Sequence, residues 1–157
     1  MSTSDPRELE ANYFAGVLLM PSSLFRAVKT PRQFSIETIF QLSKEFNTSF
    51  IATIQWFCEI GAHSVCIVFS KNNVVKWFRK STDFPDWAFR FKVGQPLPST
   101  TVAGEFFSNT SNKYTSPEEI NPSIWFYDKW SVGSRMWEQC YYSESYGYVI
   151  SILWFAK

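Results

Sequence analysis

Histidine-dependent catalysis in this 157-residue chain would have to use its single histidine, His63. A Ser-His or Cys-His pair needs an imidazole as general base, and Cys58 and Cys66 both lie within a few residues of it. Neither cysteine carries the motif of a known nucleophile, and no Glu-x-x-His partner accompanies His63 for metal binding. We therefore expect His63 to be structural or simply exposed.

The cysteines, the glycines and the net charge do not indicate a metal, phosphate or nucleic-acid site. The three cysteines, Cys58, Cys66 and Cys140, are odd in number and lie among apolar neighbours, which favours buried, reduced thiols. The six glycines are dispersed along the chain and form no glycine-rich phosphate loop. A net charge of +1 argues against the broad basic surface of a dedicated nucleic-acid-binding protein.

The composition is typical of a soluble, folded protein. Apolar residues make up 45% of the chain, which is ample for a packed core. The longest apolar runs are far shorter than the roughly 18 residues of a membrane span, and the first residues lack the pattern of a signal or transit peptide. We expect a cytoplasmic protein that does not enter a membrane. Aromatic residues reach 19%, so large rings must fill the core or line a surface for a ligand or partner.

Four helices are predicted in the first 61 residues. The first should run from about 6 to 19, because Asp5 can cap it, Glu8 completes a capping box and Pro21 stops it. Apolar residues at three- and four-residue spacing predict one buried stripe on this helix, formed by Ala11, Phe14, Val17 and Leu18.

Three shorter helices should follow. One begins near Ser22 and ends before Thr30-Pro31, and Ser35 caps the next. The turn 47–49 then leads into a helix from Phe50 to Ile60, with Gly61 as its C-cap.

Residues 35–61 have the outline of a helix-turn-helix unit. Lys44 is the only basic residue in this range, against Glu37, Glu45 and Glu59. Since phosphate contacts need several Lys or Arg side chains, we interpret the unit as a structural helical pair and expect no nucleic-acid binding. A DNA-binding regulator remains an alternative.

From Ser64 onward the pattern is typical of strands. We predict a hairpin over 64–79 with Asn73 in its turn, a strand over 124–127, and a second hairpin from 135–142 and 147–155. The stretch 81–98 should be an ordered loop or short helix packed by aromatic rings, the sequence after 99–101 a short helix, and 108–117 a long mobile loop. The run 149–155 is almost wholly apolar, which places it centrally in the sheet.

The predicted fold class is therefore α+β. Its parts are a helical segment over 1–61 and an antiparallel sheet domain of about five strands over 62–157, with at least one helix on a face of the sheet.

The segment from Glu8 to Pro21 resembles a helix of the ImmA/IrrE-type zinc metallopeptidases. The residues that fit the family's pattern are Glu8, Ala11, Asn12, Phe14, Ala15, Leu18, Leu19, Met20 and Pro21. Residues 42–49 look like the family's following helical segment. Stretches 75–85, 94–98 and 137–154 are similar to the GAF-like sensor domain of longer members. The resemblance thus covers the part of the family that follows its His-Glu-x-x-His helix, a motif that this sequence does not contain.

The resemblance implies that Glu8 stands at the third zinc-ligand position and that Asn12, one helical turn later, supports it. Two histidines and the general base would come from the absent motif. We therefore expect no cofactor in this chain alone, and zinc only if a separate histidine-bearing segment completes the site. Glu8 also has an ordinary role available as the capping partner of Asp5.

Two function classes follow. The first is a non-catalytic regulator or sensor, in which the GAF-like domain binds a small molecule or protein, with Trp77, Trp87, Trp125 and Trp137 as candidate pocket residues. The second is part of a split or truncated zinc metallopeptidase, a hydrolase only when the missing motif is supplied. In either case, absence of the zinc helix would uncover Phe14 and Leu18 of the predicted stripe, which would then form a contact surface for a second copy or for a histidine-bearing segment.

Overall fold

The computed structural model describes residues 6–27, 34–60, 63–106, 115–127, 129 and 133–155. The chain divides into two compact units, Met1–His63 and Ser64–Lys157. Helices make up the described part of the first unit, and a five-stranded antiparallel sheet dominates the second. The prediction of an α+β fold is confirmed.

The first unit contains four helices in its described residues. They are α1 (Pro6–Leu19), α2 (Ser22–Ala27), α3 (Ile36–Glu45) and α4 (Phe50–Ile60). The predicted start of α3 is confirmed, because the Ser35 hydroxyl accepts a hydrogen bond from the Thr38 backbone N–H, as an N-cap does. Asp5 and Gly61, the other predicted caps, lie outside the described residues. None of the described helices is long and apolar enough to cross a bilayer.

Helix α1 packs through a different face from the one predicted. Phe14 and Leu18 are 67% and 66% exposed, and Val17 is also exposed, so the predicted buried stripe is wrong at these positions. The helix instead buries Gly16 against the Trp56 ring. A methyl group at Gly16 would lie only 2.7 Å from that ring, so the close approach depends on glycine having no side chain. The Trp56 indole N–H also donates to the Met20 carbonyl over 2.8 Å.

Helices α3 and α4 form a packed pair with an apolar core. Buried side chains from the two helices include Ile36, Ile39, Leu42, Ile54 and Phe57. His63 follows this pair and is buried, with its ring stacked on Phe57 at 5.9 Å and edge-on to Phe34 at 6.1 Å. Its surroundings are those of a structural histidine.

The sheet of the second unit has the strand order β2-β1-β5-β4-β3, and every neighbouring pair is antiparallel. Its strands are β1 (Val65–Lys71), β2 (Val74–Lys80), β3 (Glu118–Ile120), β4 (Met136–Ser143) and β5 (Tyr148–Phe155). Both predicted hairpins are confirmed, and β5 occupies the predicted central position. Asn72 and Asn73 form the first turn with φ of 52° and 60°, a conformation that asparagine tolerates better than most residues.

The predicted strand over 124–127 is wrong. Residues Pro122–Ile124 form a 3-10 turn, which the Asn121 side chain caps by accepting from the Ser123 N–H over 3.0 Å. The following residues make only an isolated bridge, Phe89 to Phe126. The apolar run reflects burial of Trp125 and Phe126 in the core, and β3 lies earlier, at a polar stretch with no strand signal.

One face of the sheet is covered by a short helix and an aromatic loop. The predicted short helix, α5 (Val102–Phe106), follows Thr101, whose hydroxyl accepts from the Gly104 N–H as the side chain of an N-cap does. Residues 81–98 form the loop, without a helix. The core on this face includes Cys66, Val68, Phe84, Phe91, Leu97, Ala103, Trp125, Phe126, Met136, Cys140 and Leu153. Most of the predicted mobile loop, 108–114, lies outside the described residues.

Candidate functional site

Helix α1 carries both residues to which the resemblance assigned a zinc role. Glu8 and Asn12 lie one helical turn apart on its backbone, and their side chains lie outside the described part of the structure. Further along the same helix, Phe14 and Leu18 are exposed at four-residue spacing and so share one side. This apolar side of α1 is a candidate contact surface.

The described residues do not fit a zinc site. Zinc in proteins takes three or four ligands from His, Cys, Asp or Glu. Among the side chains that the structure describes, no three of these types lie close enough together to hold a metal ion. The sole histidine, His63, is packed between aromatic rings, and the described donors therefore supply no zinc chemistry.

Two of the four predicted pocket tryptophans lie on the core face of the sheet. Trp125 is fully buried, and its indole Nε1 donates to Glu138 over 2.9 Å. Trp87 is half-buried and contacts the Phe126 ring edge-on at 5.7 Å. Trp87 also lines an open groove of the sheet unit, whose lining does not include Trp125.

The other two tryptophans lie on the opposite face. Trp77 pairs with Phe69, and the two rings stack in parallel at 5.1 Å. Trp137 is next to Glu138 in β4, and successive strand residues point to opposite faces. The structure therefore does not bring the four tryptophans together, and their joint role in ligand binding stays a prediction.

An open groove of about 500 Å³ lies between β2 and the aromatic loop. It is lined by Phe78, Arg79, Lys80, Asp86, Trp87, Ala88, Phe89, Phe91, Lys92 and Val93. The volume is within the roughly 300–1,000 Å³ that small-molecule sites occupy. We name this feature the β2 groove.

Backbone hydrogen bonds hold the loop wall of the β2 groove at both ends. At one end Val75 N–H donates to Gln95 over 2.9 Å, and Gly94 N–H donates back to Val75 over 2.8 Å. At the other end Tyr127 N–H donates to Ala88 over 2.9 Å. Because the wall is fixed to the sheet unit at both ends, the β2 groove is preformed.

Aromatic rings and a partly buried cation form the floor of the β2 groove. Phe78 and Phe89 are in contact at 4.5 Å between ring centroids, and Phe89 contacts Phe91 at 4.9 Å. The Lys80 ammonium lies 5.1 Å from the centroid of the Phe89 ring and donates to the Trp87 carbonyl over 2.8 Å. A cation over an aromatic face is electrostatically favourable.

A second polar feature is buried in the core beneath α5. Both carboxylate oxygens of Glu138 accept hydrogen bonds there, from Val102 N–H at 3.2 Å, Ala103 N–H at 3.1 Å and the Trp125 indole at 2.9 Å. The Cys140 thiol lies 3.7 Å from the same carboxylate. Glu138 thus joins α5, β4 and the turn at Trp125.

The surroundings of Glu138 raise its pKa to about 7. Loss of water around the buried carboxyl group is the main cause and outweighs its hydrogen bonds, the strongest of which comes from Trp125. Burial, together with the nearby Glu138 charge, also raises the pKa of the Cys140 thiol, so it stays protonated. Glu138 is therefore a proton-binding group in the core, enclosed away from any ligand, with a structural role.

The main residues of the β2 groove and the buried carboxylate of Glu138 were not identified from the sequence. The aromatic content was recognised, but Phe78, Phe89 and Lys80 were not singled out, because the β2 groove depends on a loop that returns to the sheet. The burial of Glu138 could have been predicted from the sequence. It stands at a position that alternation assigns to the core, between Met136 and Cys140.

The family comparison concerns the helical unit. No curated protein is similar enough to the chain to count as a match. Residues 2–55, which contain α1 to α3 and the start of α4, match the family model described as an IrrE N-terminal-like domain. This match supports the similarity of the helical segment to the ImmA/IrrE family.

Proposed function

We propose that this chain is a non-catalytic regulatory or sensor module of ImmA/IrrE type, whose sheet unit binds a small ligand or partner protein through the β2 groove. The observation that carries the proposal is the β2 groove itself, preformed, lined by aromatic rings and open to solvent. Phe78 is 43% exposed within it, and exposed rings in a concave site are typical of ligand recognition. The GAF-like character of the unit belongs to the same proposal.

The proposal predicts a saturable ligand whose binding depends on the β2 groove. A library of metabolites screened by thermal shift should give at least one compound that raises the melting temperature. Phe78→Ser and Val93→Glu, both at exposed groove positions, should each weaken binding about tenfold. Leu24→Ser removes a comparably exposed apolar side chain from α2 and should leave binding unchanged. A complete absence of stabilising compounds and protein partners, or hits indifferent to both groove variants, would refute the proposal.

A second candidate function is favoured by the exposed side of α1. Phe14 and Leu18 present apolar surface next to the helix backbone that carries Glu8. We propose that this side binds either a histidine-bearing segment, which would complete a zinc peptidase site around Glu8, or a second copy of the chain.

Light scattering tests the self-association arm of this proposal. The chain should be dimeric at about 100 µM, and the double variant Phe14→Ser, Leu18→Ser should be monomeric, since exposed apolar contact area drives such association. Leu24→Ser again serves as the control for removing exposed apolar surface. A wild-type chain that is monomeric at this concentration excludes the second copy as the occupant.

A further inference from the structure

The charges around the β2 groove point to the kind of ligand it takes. Three basic residues, Arg79, Lys80 and Lys92, line the groove together with one acidic residue, Asp86. This local excess of positive charge contrasts with the nearly neutral chain, which has a net charge of +1. A concave surface of this kind attracts anions.

Lys80 is the best-placed cation for direct contact. Its side chain is only 16% exposed, and its ammonium donates to the Trp87 carbonyl over 2.8 Å and to Asp86 over 3.3 Å. An ammonium has three N–H donors, so these two contacts leave capacity for another acceptor. Asp86 is fully exposed, and a surface ion pair of this type is weak and replaceable.

The ring next to Lys80 favours a flat ligand. Phe78 keeps 43% of its surface exposed in the β2 groove and touches Phe89, the ring beneath the Lys80 ammonium. Aromatic groups pack on such rings in offset-stacked or edge-to-face arrangements. The Lys80 ammonium therefore lies over a ring, Phe89, that contacts the exposed ring of Phe78.

We infer that the β2 groove binds a planar aromatic anion, with the anionic group on Lys80 and the ring against Phe78. The inference rests on the proposed function of the β2 groove and adds the chemical class of its ligand. The anionic group takes the place of Asp86 as the partner of the ammonium, and the Trp87 carbonyl keeps Lys80 in position.

The test uses the full chain and two probes of nearly the same shape, the anionic 2-naphthoate and the neutral 2-naphthamide. Calorimetric titration should show 2-naphthoate binding at least tenfold more tightly than the amide, because only the carboxylate brings a negative charge to the hydrogen bond that the Lys80 ammonium donates. Lys80→Gln should weaken 2-naphthoate binding about tenfold and change amide binding much less. Lys80→Arg keeps the charge and should retain most of the affinity. Lys44→Gln, at an exposed lysine of α3, is the matched control and should bind like the wild type.

The outcomes separate this inference from the function on which it rests. Equal binding of the two probes, or no effect of Lys80→Gln on the carboxylate, overturns the ligand class. If neither probe binds but the metabolite library yields a neutral ligand sensitive to Phe78→Ser, the ligand class is wrong and the proposed function stands. If neither probe nor any library compound binds, the small-molecule function fails as well. A melting curve and a circular dichroism spectrum of each variant show that loss of binding is not loss of folding.

Discussion

Replacing Glu138 with leucine is expected to lower the free energy of unfolding by about 4 kcal/mol at neutral pH. Leucine has a similar volume, so the loss comes mainly from three buried N–H donors that would have no acceptor, those of Val102, Ala103 and the Trp125 indole. Each buried unsatisfied donor costs about 1–3 kcal/mol, and local relaxation recovers part of the sum. Denaturant unfolding followed by tryptophan fluorescence measures the change.

Two further variants assign this loss to the hydrogen bonds. Glu138→Gln keeps one acceptor oxygen but turns an amide group toward the donors, and should cost about 2 kcal/mol. Glu118→Gln is the matched control, because Glu118 pairs with Glu138 in the register of β3 and β4 but is exposed. It should change stability by less than about 0.5 kcal/mol. If Glu138→Leu were as stable as the wild type, Glu138 would not be the anchor of α5 and Trp125.

Local sequence signals were sufficient for the helices and for both hairpins. Pro21 ends α1, Ser35 caps α3 and the Asn72-Asn73 turn joins β1 to β2, and each acts within four residues of its own position. The central place of β5 was equally readable, since a strand that is apolar at almost every position must be covered on both faces. Such features depend on neighbours in sequence and not on the rest of the fold.

The sequence predictions failed where contacts with residues distant in sequence decide the structure. The side of α1 that is buried is set by Gly16 against Trp56, forty residues away, and the apolar spacing alone favoured the opposite side. Trp125 and Phe126 resemble a strand by composition, but the turn capped by Asn121 directs their side chains into the core. Hydrophobic periodicity predicts which residues are buried, but it does not predict which helix, strand or loop packs over them.

The prediction of the candidate site also failed where residues distant in sequence come together. An aromatic-rich binding unit was predicted from composition, but the residues chosen were the largest rings, of which only Trp87 lines the β2 groove. The groove exists because the loop 81–98 returns to β2, bringing Phe89 against Phe78 and Trp87 against Lys80. No spacing in the sequence encodes those contacts, so the chemistry of the groove becomes visible only with the fold.

The raised pKa of Glu138 makes the stability of the protein depend on pH in a direction unusual for a carboxylate. Its pKa is about 7 in the folded protein and 4.5 ordinarily, so the folded protein holds the proton more tightly than the unfolded chain does. The stabilising effect is complete below about pH 4.5 and is lost as the pH rises through about 7. At about 1.4 kcal/mol per pKa unit, the loss over this window is about 3 kcal/mol.

The difference between wild type and Glu138→Gln isolates this effect from other titrating groups. Glu119 acts in the opposite direction, because its hydrogen bonds to Arg135 lower its pKa, but it is present in both proteins and cancels. Denaturant unfolding at half-unit steps from pH 4 to 8 should show the advantage of the wild type shrinking steadily between about 4.5 and 7 and levelling off above that range. A constant difference across the series would mean that Glu138 has the same pKa in the folded and the unfolded protein, with its three N–H donors offsetting the cost of burial.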